Sequence, residues 1–167
     1  MVLFANGGNK MSTEKKIVLT PNGYLELETE LNELKLETRP RIINAIKDAR
    51  AQGDLSENAD YDAARDEQAK VEARIKELEY KLEHSVIAEA KDENTVSIGS
   101  TVDILYDDGE LDTYQIVGSM EADPLENKIS NESPIGKAVV GHKKNETVQV
   151  ESPNGNYSVV IKDIKLS

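Results

Sequence analysis

Apolar positions in the first half of the chain recur at helical spacing. Leu27, Leu31 and Leu34 stand four and three residues apart, and Ile42, Ile46 and Ala49 continue the stripe. Beyond a break at Gln52-Gly53-Asp54, Ala64, Gln68, Val71, Ile75, Leu78 and Leu82 run at 4-3-4-3-4, a heptad seam. Each stripe is too narrow for a globular core, but two helices joined by a few residues lie antiparallel and bury one stripe against the other. The spacing therefore predicts a helical hairpin, an antiparallel coiled coil over residues 11–90 with its tip near 52–58. At 1.5 Å per residue, about 32 residues per leg make a rod roughly 48 Å long. Thr20-Pro21 is the start signal, with threonine as N-cap and proline at the first helical position. Pro40 falls inside the first leg, where proline removes a hydrogen bond and costs about 3 kcal/mol. A continuous but bent leg is expected there; the alternative is a new helix starting after Arg39.

The pattern changes near residue 93. Lys91-Asp92-Glu93-Asn94 is a polar link, and residues 91–95 read as a linker. From residue 96 to 167 the chain is rich in Val, Ile, Thr, Ser and Gly. Strand-like runs fall at Thr101–Tyr106, Tyr114–Val117, Thr147–Glu151 and Tyr157–Ile161. Asp107-Asp108-Gly109 and Ser152-Pro153-Asn154-Gly155 mark turns between them. Ser133-Pro134 opens a short helix over Ile135–Val140. The expected class is α+β: a helical hairpin followed by a small mixed domain.

Charge narrows the function. Twenty Lys and Arg against 32 Asp and Glu give a net charge of −12. Nucleic-acid binding neutralises phosphates with Lys and Arg, so this chain is a poor stand-alone binder of DNA or RNA. Contact with nucleic acid is expected to run through a basic partner or a metal ion. There is no cysteine, and the two histidines, His84 and His142, are far apart, which disfavours thiol chemistry and histidine-built metal sites. No apolar run approaches the ~20 residues of a membrane span, so a cytosolic chain is expected, without membrane contact. Met11 opens an ordinary polar start. Residues 1–10 read as either an added stretch or a disordered extension.

The candidate chemistry sits at the hairpin tip, Gly53-Asp54-Leu55-Ser56-Glu57-Asn58-Ala59-Asp60-Tyr61. One reading is structural: Gly53 ends the first leg, Asp54 caps the second, and Glu57 three residues on completes a capping box. The other is functional. Positions i and i+3 share a helix face, so Asp54 and Glu57 would present two carboxylates together at the end of the arm. Mg²⁺ typically takes one or two protein carboxylates along with waters and substrate phosphates. Two carboxylates could therefore complete a metal site whose other ligands lie in another molecule.

The run Ala49-Arg50-Ala51-Gln52-Gly53-Asp54-Leu55-Ser56-Glu57-Asn58-Ala59-Asp60-Tyr61-Asp62-Ala63-Ala64 resembles the Gre family of bacterial transcript cleavage factors. Arg39-Pro40, Glu72-Ala73-Arg74-Ile75, Ile116-Val117-Gly118, Glu121-Ala122-Asp123, Lys128-Ile129-Ser130, Ser133-Pro134-Ile135-Gly136 and Pro153-Asn154-Gly155 fit the same family. The resemblance spans roughly Val18 to Ile164. It implies an N-terminal coiled coil and a C-terminal FKBP-like domain that docks on the core of bacterial RNA polymerase, the coil entering the secondary channel. It implies that Asp54 and Glu57 help hold a Mg²⁺ ion jointly with the polymerase, with none bound by the isolated protein. The factor would then stimulate the polymerase's own hydrolysis of nascent RNA near its 3′ end in backtracked complexes, without being an enzyme itself. Ser56, Asn58 and Tyr61 would support the tip; for each, a capping or core role is the alternative.

Arg39, Arg41, Lys47 and Arg50 form a locally basic stretch. The resemblance implies RNA contact there; a solvated, ion-paired face is the alternative. An FKBP-like fold also raises prolyl isomerisation, but the region after residue 95 offers only Tyr106, Tyr114 and Tyr157 where active members line a pocket with aromatics. Gly136-Lys137 is no phosphate loop, since Asn131 and Ala138 occupy the Gly and Ser/Thr positions. The remaining rivals are a coiled-coil channel binder that blocks polymerase without promoting cleavage, and a holdase or adaptor hairpin with no polymerase partner. A soluble monomer is expected from the acidic charge.

Overall fold

The computed structural model describes residues 15–54 and 58–166. The extension over residues 1–10 and the start at Met11 lie outside the described residues. The hairpin opens with strand β1 (Ile17–Leu19) and helix α1 (Pro21–Glu33), and a π-helical turn (Leu34–Thr38) leads into α2 (Arg39–Ala51). Helix α3 (Ala59–Glu83) returns antiparallel, and β2 (Ser85–Ile87) closes the base by pairing parallel with β1. Thr20 caps α1 as the sequence predicts: its hydroxyl accepts from the Gly23 amide at 3.1 Å, with Pro21 at the first helical position.

Both seams bury. Ile42, Ile46 and Ala49 of the first leg and Ala64, Ile75 and Leu78 of α3 are the closed positions, and Leu27, Leu31, Leu34, Gln68, Val71 and Leu82 are half-buried beside them. Interhelical ion pairs flank the seam. Arg74 meets both Glu30 oxygens at 2.7 and 2.8 Å, and Arg39 meets both Glu72 oxygens at 2.7 Å. Hydrogen bonding to these arginines holds the Glu30 and Glu72 carboxyls below the usual carboxylate range.

The first leg is continuous through Pro40. Thr38 and Arg39 keep right-handed helical dihedrals, and the Arg39 amide donates to Leu34 O, five residues back. That wider turn accommodates a proline ring that an ordinary turn would press against the carbonyl four residues earlier. No new helix begins after Arg39.

The second half is a five-stranded sheet in the order β5-β4-β3-β7-β6, where β3 is Ser100–Tyr106, β4 Leu111–Val117, β5 Lys128–Ser130, β6 Thr147–Val150 and β7 Tyr157–Leu166. Only the β4–β5 pair is parallel. Helix α4 (Pro134–Val139), capped by Ser133, packs against β5 and β6. Val102, Ile104, Ile116, Val139, Val150, Val159 and Ile161 form the core. Strand β7 runs five residues past its predicted end. A bulge opposite Asp103 and Ile104 shifts its buried face from Val159 and Ile161 to Ile164, so the alternation that marks the strand in the sequence breaks at Lys162.

Polar contacts join the two halves: Lys15 pairs with Glu132 at 2.8 Å, and a second joint forms at Glu121. Glu121, after β4, accepts from the Thr20 amide at 2.7 Å and from the Thr20 hydroxyl. Its carboxylate thus sits at the α1 N-terminus, where helical amides favour negative charge. Gly23 leaves the necessary space: a Cβ there would lie 2.0 Å from Glu121 Oε1.

Candidate functional site at the hairpin tip

The first leg ends on a tightened turn in which the Gln52 amide donates to Ala49 O and the Gly53 amide to Arg50 O. Gly53 has φ +111° and nothing near its missing Cβ, so it serves the left-handed termination the sequence predicts. Asp54 follows it and is exposed.

Asp54 does not cap the second leg. Helix α3 starts at Ala59, and its N-cap is Asn58, whose Oδ1 accepts from the Tyr61 amide at 3.1 Å. Asp54 therefore precedes α3. Both amino acids are good caps, and the choice falls to Asn58 because its side-chain amide makes a second bond: Nδ2 donates to Ala49 O at 2.8 Å, bridging the two legs. An aspartate has no proton for that bridge. The capping-box reading pairs Asp54 with Glu57. Leu55, Ser56 and Glu57 lie outside the described residues.

Tyr61 packs against the Ile42, Ile46 and Ala64 cluster just below the tip. The Arg50 guanidinium stands 5.8 Å from the Tyr61 ring centroid, within cation–π reach. Of the basic stretch, Arg39 is bound to Glu72 and Arg41 to Glu67 at 2.8 Å, while Lys47 and Arg50 are exposed toward the tip end of α2. The acidic partners on α3 are not evident from the sequence, because the stagger of the legs decides which residues meet across them.

Among the described residues no three His, Asp or Glu side chains converge to hold a metal, and no helix is long and apolar enough to cross a membrane. An exposed aspartate at the end of an arm, with one further carboxylate in the same loop sequence, has the donor chemistry for a share of a Mg²⁺ site but not for a whole one. In the sheet domain the three tyrosines bind one another. Tyr106 and Tyr114 hydroxyls are 2.9 Å apart, Tyr114 donates to Asp112 at 3.0 Å, and Tyr106 and Tyr157 stack at 6.2 Å. Burial and these bonds push the Tyr114 hydroxyl well above the usual range.

Replacing Asn58 should loosen the tip in two stages. Asn58→Asp keeps the cap and loses the bridge to Ala49. Asn58→Ala loses both, at a cost of about 1–2 kcal/mol for the cap. Urea unfolding and amide exchange at Tyr61 should rank the variants in that order; equal exchange in all three proteins would contradict the assignment.

Family models match the chain in both halves: "Transcription elongation factor, N-terminal" over residues 17–87 and "Transcription elongation factor, GreA/GreB, C-term" over residues 91–166. The chain is 48% identical over 160 residues to transcription elongation factor GreA of Listeria monocytogenes, covering 94% of this chain and all of that one. It is 50% identical over 155 residues to GreA of Mycoplasma mycoides, covering 90% of this chain and 99% of that one. The solved structure of GreA factor homolog 1 (Gfh1) of Thermus thermophilus is 29% identical and covers 90% of this chain and 99% of its own, at a TM-score of 0.42. With both halves matched and nearly half the residues shared with full-length relatives, the chain belongs to the GreA/GreB family of transcription elongation factors.

Proposed function

We propose that this protein stimulates cleavage of nascent RNA by bacterial RNA polymerase in backtracked complexes. The sheet domain docks on the polymerase core, and the helical arm passes through the secondary channel. The supporting observation is the exposed Asp54 at the end of a two-legged helical arm, in a chain similar to GreA proteins over at least 90% of its length. It is a factor that assists the polymerase's own hydrolysis, not an enzyme with a self-contained centre.

Asp54 and Glu57 are the residues that would share a Mg²⁺ ion with the polymerase; when bound, such an ion acidifies water and neutralises charge on the transferring phosphate. The carboxylates supply negative charge and hydrogen-bond acceptors that orient a water. The acidic tip has no favourable approach to an RNA phosphate unless a cation lies between them. Asn58 and Tyr61 hold the start of α3, the first by joining the legs and the second by anchoring α3 in the seam. Lys47 and Arg50 face the displaced RNA. Arg39 and Arg41 lie on the same leg, where their carboxylate partners compete with any RNA contact.

Adding the protein to a purified stalled complex tests this reading. Shortened RNA, with a new 3′ end that polymerase extends, is the expected result. Blocked extension without shortening would instead mark a channel binder that inhibits polymerase.

A further inference from the structure

All five arginines of the chain stand on the arm. Three of them meet carboxylates: Arg39 with Glu72, Arg41 with Glu67, and Arg74 with Glu30 and Glu77. Arg65 donates to the Gln68 side-chain carbonyl at 3.1 Å. Arg50 differs. It has no ion-pair partner among the described residues, and its guanidinium lies over the Tyr61 ring instead.

The Arg50–Tyr61 contact is a rung of the same ladder as the Arg39–Glu72 pair. Position 50 lies eleven residues beyond 39 on the first leg, and position 61 lies eleven residues before 72 on α3. Eleven residues make about three helical turns, so both rungs fall on one side of the seam. At the rung nearer the base the legs set a carboxylate against the guanidinium. At the rung next to the tip they set a neutral ring, although Asp60 and Asp62 flank that ring in the sequence.

The two partners leave an arginine in different states. Glu72 takes the Nε and Nη2 donors of Arg39 at 2.7 Å each and cancels its charge. An aromatic face attracts the cation without accepting the N–H groups in the guanidinium plane, so the charge and the planar donor fork stay available. Tyr61 is itself fixed. Its amide donates to Asn58 Oδ1, and its ring packs against Ile42, Ile46 and Ala64. Asn58 also holds the carbonyl of Ala49, the residue before Arg50. Both members of the contact are thus tied to one bridge between the legs. A planar fork with free donors matches two oxygens of a phosphate. Lys47, on the same helix, supplies charge but no such fork.

We infer that Tyr61 is a positioning residue that holds the Arg50 guanidinium, with its donors free, as the ligand of one phosphate in the displaced RNA. This rests on the cleavage function proposed for the tip.

The test uses purified complexes backtracked by several nucleotides. Each carries one neutral 2′-deoxy methylphosphonate linkage in the displaced RNA, away from the scissile bond, and is compared with the same RNA bearing a 2′-deoxy phosphate there. With wild-type factor at saturation, one such linkage should slow cleavage about ten-fold, the scale of hydrogen bonds to a charged group. Arg50→Ala should be slow on the charged RNA and lose nothing further at that linkage. Tyr61→Phe keeps the ring and should match wild type. Tyr61→Leu fills the seam without a ring, so the effect of the neutral linkage should shrink by about two- to five-fold. Tyr61→Met carries the same comparison if Tyr61→Leu does not fold. Melting temperature and polymerase affinity are measured alongside, because a merely structural Tyr61 would lower stability and leave the linkage effect whole.

Arg50→Ala that keeps the wild-type response to every linkage overturns the inference. So does Tyr61→Leu that keeps the full response at the linkage to which Arg50→Ala is blind. Arg50→Ala that loses polymerase affinity, with the linkage effects unchanged, assigns the guanidinium to a protein carboxylate and overturns it too. A wild-type protein that leaves backtracked RNA uncut refutes the cleavage function itself; a wild type that cuts every neutral-linkage RNA at the ordinary rate refutes only the phosphate contact.

Discussion

The paired substitution Asp54→Asn with Glu57→Gln should abolish stimulated cleavage, a loss of at least about 100-fold at saturating factor, on the scale seen when charge-stabilising groups are removed from reacting centres. Affinity for core polymerase and the melting temperature should stay at wild-type values. The second expectation follows from the tip's construction. Asn58 starts α3 and ties it to Ala49, so the α3 cap survives the neutralisation of Asp54. The amide replacements keep side-chain size and remove charge, which isolates electrostatics from shape. The readouts are RNA length in a purified backtracked complex and polymerase binding measured in parallel. A double variant that shortens RNA at the wild-type rate would take the acidic tip out of the chemistry. Loss of binding alongside loss of cleavage would make the tip an anchor instead.

Much of the arm is legible in the sequence because its rules are local. A heptad stripe, a Thr-Pro start and a Gly stop each fix a feature within a few residues, and the structure has all three. What is not legible depends on partners distant in the chain. Strands β1, β2 and β5 have three residues each, too few for alternation to register, and they exist because neighbouring strands receive them. Asp54 and Asn58 are equally good caps on local grounds, and the Ala49 carbonyl on the other leg decides between them. The π-turn is hidden in a similar way. Pro40 and the eight-residue step from Leu34 to Ile42, one more than a heptad, mark a difficulty in the first leg, but neither shows that the backbone takes it up in a wider turn. Arg39 and Arg41 look like a basic patch in the sequence, and only the stagger of the helices shows Glu72 and Glu67 opposite them.

The joint at Glu121 should matter to cleavage although it stands at the opposite end of the arm. Helix α3, at 25 residues, is about 38 Å long, so a tilt of only ~2° at its base moves the tip by roughly 1.3 Å. Glu121 is the less exposed of two polar contacts that resist such a tilt, the other being the Lys15–Glu132 ion pair: its carboxylate takes both donors of Thr20, the residue that caps α1. Hydrogen bonds to a charged group contribute about 1.5–3 kcal/mol each, and Glu121→Ala would leave the Thr20 amide facing an empty space. The variant should therefore melt at lower temperature and exchange its Thr20 amide faster. It should also cleave about ten-fold or more slowly at saturation, with Asp54 and Glu57 untouched. Glu121→Gln, which keeps one acceptor oxygen, should fall between the two. If exchange at Thr20 accelerates in Glu121→Ala while cleavage remains normal, the polymerase channel itself aligns the arm, and stiffness at its base is dispensable. If cleavage falls in step with exchange across the three proteins, the tip works because the Glu121–Thr20 joint holds the arm at a fixed angle on the sheet domain.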